Sequence, residues 1–258
     1  YVKESYFPSN LIWLIFYILV FSFLLYYSYS YLDNDLGWHL LVGRQITLEK
    51  TAPNYEYYDY TLAGTAWVDH EWFFNFIIYN LYHYAGYLPV SVFFALLVII
   101  TLLLLNWFIK KYFWPANNNF LLIAVFELFG VLAMAPHLGV RLQEIALLFL
   151  SLLLIILEKF RSEKNWRSLL WLPLLFFVWA NLHGSFLVGL AVLGLWLFIG
   201  SAEIIAKKYQ IFYWLDLDHA PVWKNLFTVA GFFFLSFFAT LATPFGFKLY
   251  GFLGDFSV

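Results

Sequence analysis

The sequence has no cysteine and a single methionine, and only 12% of its 258 residues are charged. Without cysteine the chain has no disulfide, no thiolate metal ligand and no cysteine nucleophile. Soluble domains carry about 25% charged residues on average, so this low charge content excludes an ordinary soluble domain. The 14 lysines and arginines form no basic patch, and we therefore expect no nucleic-acid partner.

Several familiar catalytic motifs are missing as well. The chain contains no serine nucleophile motif, no phosphate-binding glycine loop and no dinucleotide-binding glycine pattern. His70-Glu71 does not continue as H-E-x-x-H, because Phe74 stands where the second histidine would be. This excludes a zincin-type metal site.

Apolar sequence fills most of the chain instead, with 64% hydrophobic and 24% aromatic residues. A membrane-spanning helix needs about 20 mostly apolar residues, and windows of that size predict seven spans. We therefore expect an all-α fold, a polytopic membrane helix bundle that forms a single module over residues 1–258. The predicted spans are Leu11–Tyr31, Leu88–Ile109, Phe120–Ala135, Ile145–Leu157, two spans from Leu169–Gly200 divided at Asn181–Gly184, and Leu226–Thr243.

One long polar stretch, Tyr31–Trp72, separates the first two spans. It belongs to a large first outer loop of residues 32–87, in which we expect interfacial helices near Gly37–Lys50 and Trp72–Tyr84. In the first of these helices, Trp38, Leu41, Val42 and Ile46 are expected to face lipid or protein, with His39, Arg44 and Gln45 elsewhere.

The basic residues predict an orientation, because cytoplasmic loops are enriched in lysine and arginine. With the N-terminus inside, the polar stretch and five of the six histidines face outward. Any chemistry is therefore expected on the extracytoplasmic face. Ten of the 14 basic residues then lie on the cytoplasmic side: Lys3, Lys110, Lys111, Lys159, Arg161, Lys164, Arg167, Lys207, Lys208 and Lys224.

The acidic residues of the polar stretch are candidates for catalysis. Asp33 and Asp35 follow the first span, where they either end a helix in water or form a pair that acts as a general base, binds a divalent metal such as Mg²⁺ or Mn²⁺, or does both. Glu71, preceded by His70, is either a favourable residue at a helix start or a second acid.

Two outer arginines are candidates for binding an anion. Arg44 either lies on a solvated helix face or binds a phosphate, whose oxygens a guanidinium matches well. Arg141, near His137, needs a partner at the membrane edge, and that partner is a lipid headgroup or an anionic substrate. His183, in a tight outer turn, either serves the turn or contributes to a site.

The pattern of these residues resembles a known family. The runs D-x-D-L-G-W-H-L-x-x-G-R-x-I and P-N-Y-E-Y-Y-D-Y-T-L-A-G-T-A-W-V-D-H-E-W resemble the first outer loop of bacterial membrane proteins of the glycosyltransferase C superfamily, GT-C. The closest likeness is to its dolichyl-phosphate-mannose mannosyltransferase and lipid A glycosyltransferase-like group. Three later pieces fit, two of them with changes: Arg141-Leu142-Gln143 where relatives often have R-P-Q, Trp179–Gly184, and Thr243–Gly246 where relatives have N-P-Y-G or N-P-F-G.

The resemblance implies a multi-pass enzyme of the bacterial inner membrane that moves a sugar from a polyprenyl-phosphate donor to a lipid, glycan or protein acceptor on the outer face. Asp33 or Asp35 would be the base or metal-associated residue, and Glu71 a second acid. A divalent metal is the one cofactor considered. The implied substrate-binding residues are His39, Arg44, His70, His137, Arg141 and His183. Relatives are longer, which makes a fragment of a longer protein one expectation for this chain.

Two other functions fit an apolar chain of this kind. A transporter or flippase of lipid-linked saccharides predicts polar residues across the bilayer midplane, for which Glu127 inside the third span is the clear candidate. A non-catalytic membrane scaffold predicts that the outer carboxylates can be replaced without loss of function.

Overall fold

The computed structural model describes residues 9–113, 120–135, 138–210 and 221–255. Within these ranges the fold is all-α, as predicted, and the only strand-like pairing is a single bridge between Tyr55 and Ala66. The helices are α1 (Ser9–Ser30), α2 (Leu36–Glu49), α3 (Trp72–Ala85), α4 (Tyr87–Tyr112), α5 (Phe120–Met134), α6 (Glu144–Glu163), α7 (Trp171–Leu182), α8 (Phe186–Tyr209), α9 (Trp223–Thr240) and α10 (Lys248–Asp255), with a 3₁₀ turn at Trp166–Leu170.

Among the residues that the structure describes, three helices are long and apolar enough to cross a membrane: Leu11–Ser30, Tyr87–Tyr112 and Phe186–Tyr209. Phe120–Met134 and Trp166–Leu182 are apolar but shorter. Large apolar side chains such as Leu19 and Phe198 stay exposed on these helices, as expected for surfaces that face lipid. The structure therefore supports a membrane protein, whereas seven spans and the orientation remain predictions.

The predicted break in the long apolar run is confirmed. Helix α7 ends at Leu182 and α8 begins at Phe186. His183 has an extended backbone, and its N–H bonds to the carbonyl of Trp179 at 2.9 Å, which closes the last turn of α7. Helix α10 was not predicted, because eight mixed residues after the last apolar run give little periodic signal.

The chain divides into two compact units, 1–47 with 75–151 and 48–74 with 152–258. In the first unit α1 packs against α4 and α5. The apolar core of this unit includes Leu24, Ala95, Val98 and Val131.

In the second unit α9 packs against both α7 and α8. Trp179 of α7 is completely buried, and a Cβ at Gly189 would lie 2.4 Å from its indole ring. Position 189 therefore has to be glycine for α7 and α8 to pack in this way.

The buried face of α2 includes one residue that was expected elsewhere. His39 is buried together with Val42, Gly43 and Ile46, whereas Leu41 is 49% exposed. The expectation that His39 lies away from this face was therefore wrong, while an exposed Leu41 agrees with a side chain that faces lipid. Gly43 is the physical reason, because a Cβ there would lie 2.1 Å from the backbone oxygen of Asn75. The helix turns its glycine toward α3, and His39, one turn away, follows.

Candidate functional site

Asp33 organises the turn between α1 and α2. Its Oδ1 accepts a hydrogen bond from the backbone N–H of Asp35 at 2.8 Å, and its carbonyl accepts one from Leu36 at 3.2 Å. A short acidic side chain that bonds to the backbone two residues ahead is a common way to start a helix. The carboxylate also lies where the positive end of the α2 dipole stabilises it.

The second oxygen of Asp33 pairs with Arg141. The Nε of Arg141 lies 2.5 Å from Oδ2 of Asp33, and their side chains are 34% and 7% exposed. A lipid headgroup or an anionic substrate was the expected partner of Arg141, whereas the structure pairs it with a carboxylate of the chain itself. A charged hydrogen bond of this kind is short and strong because both groups are ionised.

Glu144 completes what we name the Asp33 cluster, which consists of Asp33, Arg141 and Glu144. Glu144 is only 4% exposed, and its Oε1 accepts the backbone N–H of Gly139 at 3.1 Å. Among the described residues its Oε2 has no hydrogen-bond partner. Burial raises the pKa of this carboxyl to about 9, against the opposing effects of the Gly139 bond and the Arg141 charge. Glu144 is therefore neutral at pH 7.

Asp35 lies in different surroundings. Its side chain is exposed, and the contacts found for it in the described chain are made by its backbone, including the carbonyl that accepts the N–H of His39 at 3.0 Å. The carboxylate of Asp35 is thus open to a ligand, whereas that of Asp33 is engaged on both oxygens.

This arrangement does not fit the expected Mg²⁺ or Mn²⁺ site. Such ions take oxygen ligands, but Asp33 directs both oxygens at N–H donors. The described residues also contain no group of three or more histidines and carboxylates that could hold a metal ion. We therefore derive no step through a metal at this position.

Glu71 is placed by the start of α3. The buried Asp69 accepts the backbone N–H of Glu71 through its Oδ1 at 3.0 Å, and its carbonyl accepts that of Trp72 at 3.3 Å. Asp69 therefore forms the turn that leads into α3 and holds Glu71 directly before the first helical residue, Trp72.

Two histidines meet the Glu71 side chain, and we name His70, Glu71 and His183 the Glu71 cluster. Oε1 of Glu71 lies 3.1 Å from Nε2 of His183 and 3.5 Å from Nε2 of His70. Nδ1 of His183 accepts the backbone N–H of Ser185 at 3.0 Å. Because Nδ1 is an acceptor, a neutral His183 carries its proton on Nε2 and donates it to Glu71.

The turn between α7 and α8 uses its remaining polar side chains to hold this cluster. Nε1 of Trp179 donates to the hydroxyl of Ser185 at 2.9 Å. Asn181 accepts from Nε1 of Trp72 at 3.2 Å and donates to the carbonyl of Ala242 at 3.1 Å. Trp72, the residue after Glu71, is thereby hydrogen-bonded to the end of α7. This bond helps to position the carboxylate of Glu71.

The other predicted site residues lie outside these two clusters. His39 is buried and its Nδ1 lies 2.7 Å from Oδ1 of Asn75, so its described contact is a structural one. Arg44 is exposed and forms no ion pair within the described residues. His137 lies outside the residues that the structure describes. A substrate role for these three residues remains a prediction.

Sequence reasoning missed Glu144, Asp69 and Asn181. Glu144 could have been noticed as an ionisable residue directly before the apolar run of the fourth span, three positions after Arg141. Asp69 had the signature of a helix N-cap three residues before an aromatic run. Asn181 had no signal beyond its place in a polar break.

No protein-family model matches the chain, and neither a curated protein nor a solved structure matches it.

Proposed function

We propose that the chain is a membrane glycosyltransferase module that moves a sugar from a polyprenyl-phosphate carrier to an extracytoplasmic acceptor. The observation that carries the proposal is the Asp33–Arg141 pair directly after α1, a membrane-length apolar helix. A donor whose tail lies in lipid keeps its phosphate at the membrane edge, where a guanidinium can bind it. The resemblance of residues 33–72 to GT-C outer loops points to the same reaction.

The proposed reaction is an inverting displacement. The acceptor hydroxyl oxygen forms a bond to the anomeric carbon while the bond from that carbon to the phosphate oxygen breaks. The electron pair leaves with polyprenyl phosphate, and a carboxylate takes the hydroxyl proton. We assign the proton acceptor to Asp35, because its carboxylate is exposed and has no ion-pair partner among the described residues.

Arg141 and Arg44 are the proposed phosphate contacts. Arg141 is one-third exposed and already oriented by Asp33, so an incoming phosphate meets a guanidinium in fixed geometry. In this proposal Asp33 is a positioning residue. Glu71 stays the predicted second acid, and His70 and His183 stay predicted substrate contacts. Within the second unit both histidines lie beside the Glu71 carboxylate.

The test is sugar transfer in membranes that contain the chain, with radiolabelled polyprenyl-phosphate hexoses and pentoses as donors. Asp35→Asn is expected to lower the rate by about 10²–10⁴-fold, the usual contribution of a general base. Asp59→Asn is the matched control, because Asp59 is another aspartate of the same loop and lies outside both clusters. Full activity of Asp33→Asn combined with Asp35→Asn would contradict the assignment.

Donor binding can be measured separately from transfer. Native mass spectrometry of the purified chain is expected to detect polyprenyl phosphate, with less lipid retained by Arg141→Gln and an unchanged amount by Asp35→Asn. Equal retention of polyprenyl phosphate by both variants would contradict the proposal that Arg141 binds the phosphate.

A transporter of lipid-linked saccharides is the second candidate, and one polar network favours it. Nδ2 of Asn106 donates to the hydroxyl of Tyr17 at 2.8 Å, and that hydroxyl donates to Oε1 of the buried Glu127 at 3.2 Å. These residues come from three apolar helices, α4, α1 and α5. Polar residues inside membrane helices often mark a transport path. Movement of a lipid-linked sugar across liposomes without transfer, abolished by Glu127→Gln, would favour this function.

A further inference from the structure

A compact loop of residues 54–67, which we name the tyrosine loop, presents aromatic side chains to the outside of the second unit. The backbone folds back on itself: Glu56 N–H bonds to the carbonyl of Thr65 at 3.0 Å, and Trp67 N–H to that of Asn54 at 2.9 Å. The bridge between Tyr55 and Ala66 lies beside these bonds. The loop is therefore a folded hairpin-like element.

Glu56 stiffens the tip of this loop. Its side chain is buried, and Oε1 accepts the backbone N–H groups of Tyr58 at 2.6 Å and Asp59 at 3.0 Å. Asp59 in turn accepts the N–H of Thr61 at 2.8 Å. A carboxylate with two backbone donors fixes a turn strongly, so the tyrosines at the tip are held outward by the backbone.

The surface of the loop is apolar and aromatic. Tyr60 is 92% exposed, and Tyr55, Tyr57 and Leu62 are each more than half exposed. Residues 51–71 contain no lysine or arginine. Exposed clusters of large apolar side chains are uncommon on soluble surfaces and mark a contact with a partner or a membrane.

The base of the loop is attached to the start of a membrane-length helix. His70 and Glu71 follow the loop, and Glu71 bonds to His183. A Cβ on Gly184 would lie 3.0 Å from His70, so the two segments touch. Two residues later α8 begins, and α8 is long and apolar enough to span a bilayer. The tyrosine loop therefore projects from the second unit beside the N-terminal end of α8.

We propose that the tyrosine loop binds the lipid interface, with the rings of Tyr55, Tyr57 and Tyr60 between headgroups and acyl chains. Tyrosine favours this zone because its ring is apolar while its hydroxyl bonds to headgroups or water. The partner is a bilayer surface of zwitterionic lipid, since the loop offers no cation that would select anionic headgroups. The loop thus anchors residues 68–71 beside the membrane.

The absence of cysteine makes this proposal easy to test. Single Tyr60→Cys and Tyr57→Cys variants are spin-labelled in phosphatidylcholine nanodiscs, and collision with oxygen is compared with collision with a water-soluble nickel chelate. Phe198→Cys on the exposed face of α8 is the lipid control, and the exposed Glu163→Cys is the aqueous control. Because oxygen concentrates in lipid, the oxygen-to-nickel ratio at both loop positions is expected to be several-fold above that at Glu163→Cys and below that at Phe198→Cys.

Ratios equal to the aqueous control at both loop positions would overturn the proposal and would leave a saccharide or protein ligand as the occupant of the loop. Both sites are exposed, so labelling leaves the core intact, and an unchanged melting temperature verifies this. Leu62→Cys provides a third position, for which the same elevated ratio is expected. The experiment requires no sugar transfer, so its outcome is independent of the proposed glycosyltransferase activity.

Discussion

Asp33 and Asp35 lie two positions apart in the sequence and meet different surroundings. Asp33 has both oxygens bonded, one to Arg141 and one to the backbone of Asp35, whereas the Asp35 side chain is exposed. The residue types at this turn could be predicted from a D-x-D run after an apolar helix. The different surroundings of the two side chains could not be predicted, because they depend on Arg141, which lies more than 100 positions away in the sequence.

The Asp33–Arg141 pair should appear as an energetic coupling. In a double-mutant cycle with Asp33→Asn and Arg141→Gln, the double variant is expected to lose less stability than the sum of the single variants by about 1–2 kcal/mol. The coupling is smaller than for a fully buried pair because Arg141 is one-third exposed and water screens its charge. The measurement is thermal or denaturant unfolding of the four proteins in one detergent. Strict additivity would mean that the pair contributes nothing.

Glu144 should make stability depend on pH. Its pKa is about 9 in the folded chain, against a reference of 4.5, so the folded state keeps a proton that the unfolded state releases. The contribution of this proton to the free energy of unfolding is complete below pH 4.5. It is lost as the pH rises toward 9, by up to about 1.4 kcal/mol per pH unit. Glu144→Gln imitates the neutral acid and is expected to flatten this decline, as measured by melting temperature between pH 5 and pH 9.

The control for this titration is Glu163→Gln, which replaces an exposed carboxylate at the other end of the same helix. It should leave the decline as steep as in the parent chain. If Glu144→Gln also leaves it unchanged, Glu144 is not the group responsible.

At the scale of elements, α2 and α3 meet through a glycine. A Cβ at Gly43 would lie 2.1 Å from the backbone oxygen of Asn75 and 2.5 Å from Cβ of Tyr79. The Gly43→Ala variant is expected to lose about 1–3 kcal/mol, because the clash is with backbone and cannot be relieved by a rotamer change. Gly37→Ala in the same helix meets nothing within 4 Å and should be neutral or slightly stabilising. Unfolding of both variants in detergent provides the comparison, and equal losses would contradict the close contact.

Helix positions could be predicted well, and helix faces less well. Long apolar runs and the polar break at 181–184 predicted α1, α4, α7 and α8, because length and hydropathy are local properties. The burial of His39 on α2 was not predicted, since it follows from the packing at Gly43 and not from the apolar pattern. The same limit applies to Asn181, whose partners Trp72 and Ala242 are distant in the sequence.

At the scale of the whole molecule, the basic residues predict which ends of the helices face the cytoplasm. In a chain without cysteine, Thr51→Cys and Glu163→Cys place single thiols at exposed positions in the predicted outer loop and at the last residue of α6. A membrane-impermeant maleimide applied to intact cells is expected to label Thr51→Cys, and to label Glu163→Cys only after lysis.

The reverse pattern would invert the orientation. Labelling of both variants in intact cells would place residues 51 and 163 on the same side, which is incompatible with the predicted number of crossings between them. The reverse pattern would also place the Asp33 cluster on the side opposite the one on which a polyprenyl-phosphate donor is expected.

The contact at Gly43 also constrains how this sequence can diverge. Any descendant that keeps α2 against α3 must keep glycine at 43, because every other side chain collides with the main chain of residue 75. The exposed residues between α2 and α3 carry no such restriction. Distant relatives should therefore keep two features of α2. One is a buried polar residue at position 39 that pairs with an amide side chain on α3, and the other is the glycine four positions later. Both should persist even where the acidic residues at 33 and 35 have changed.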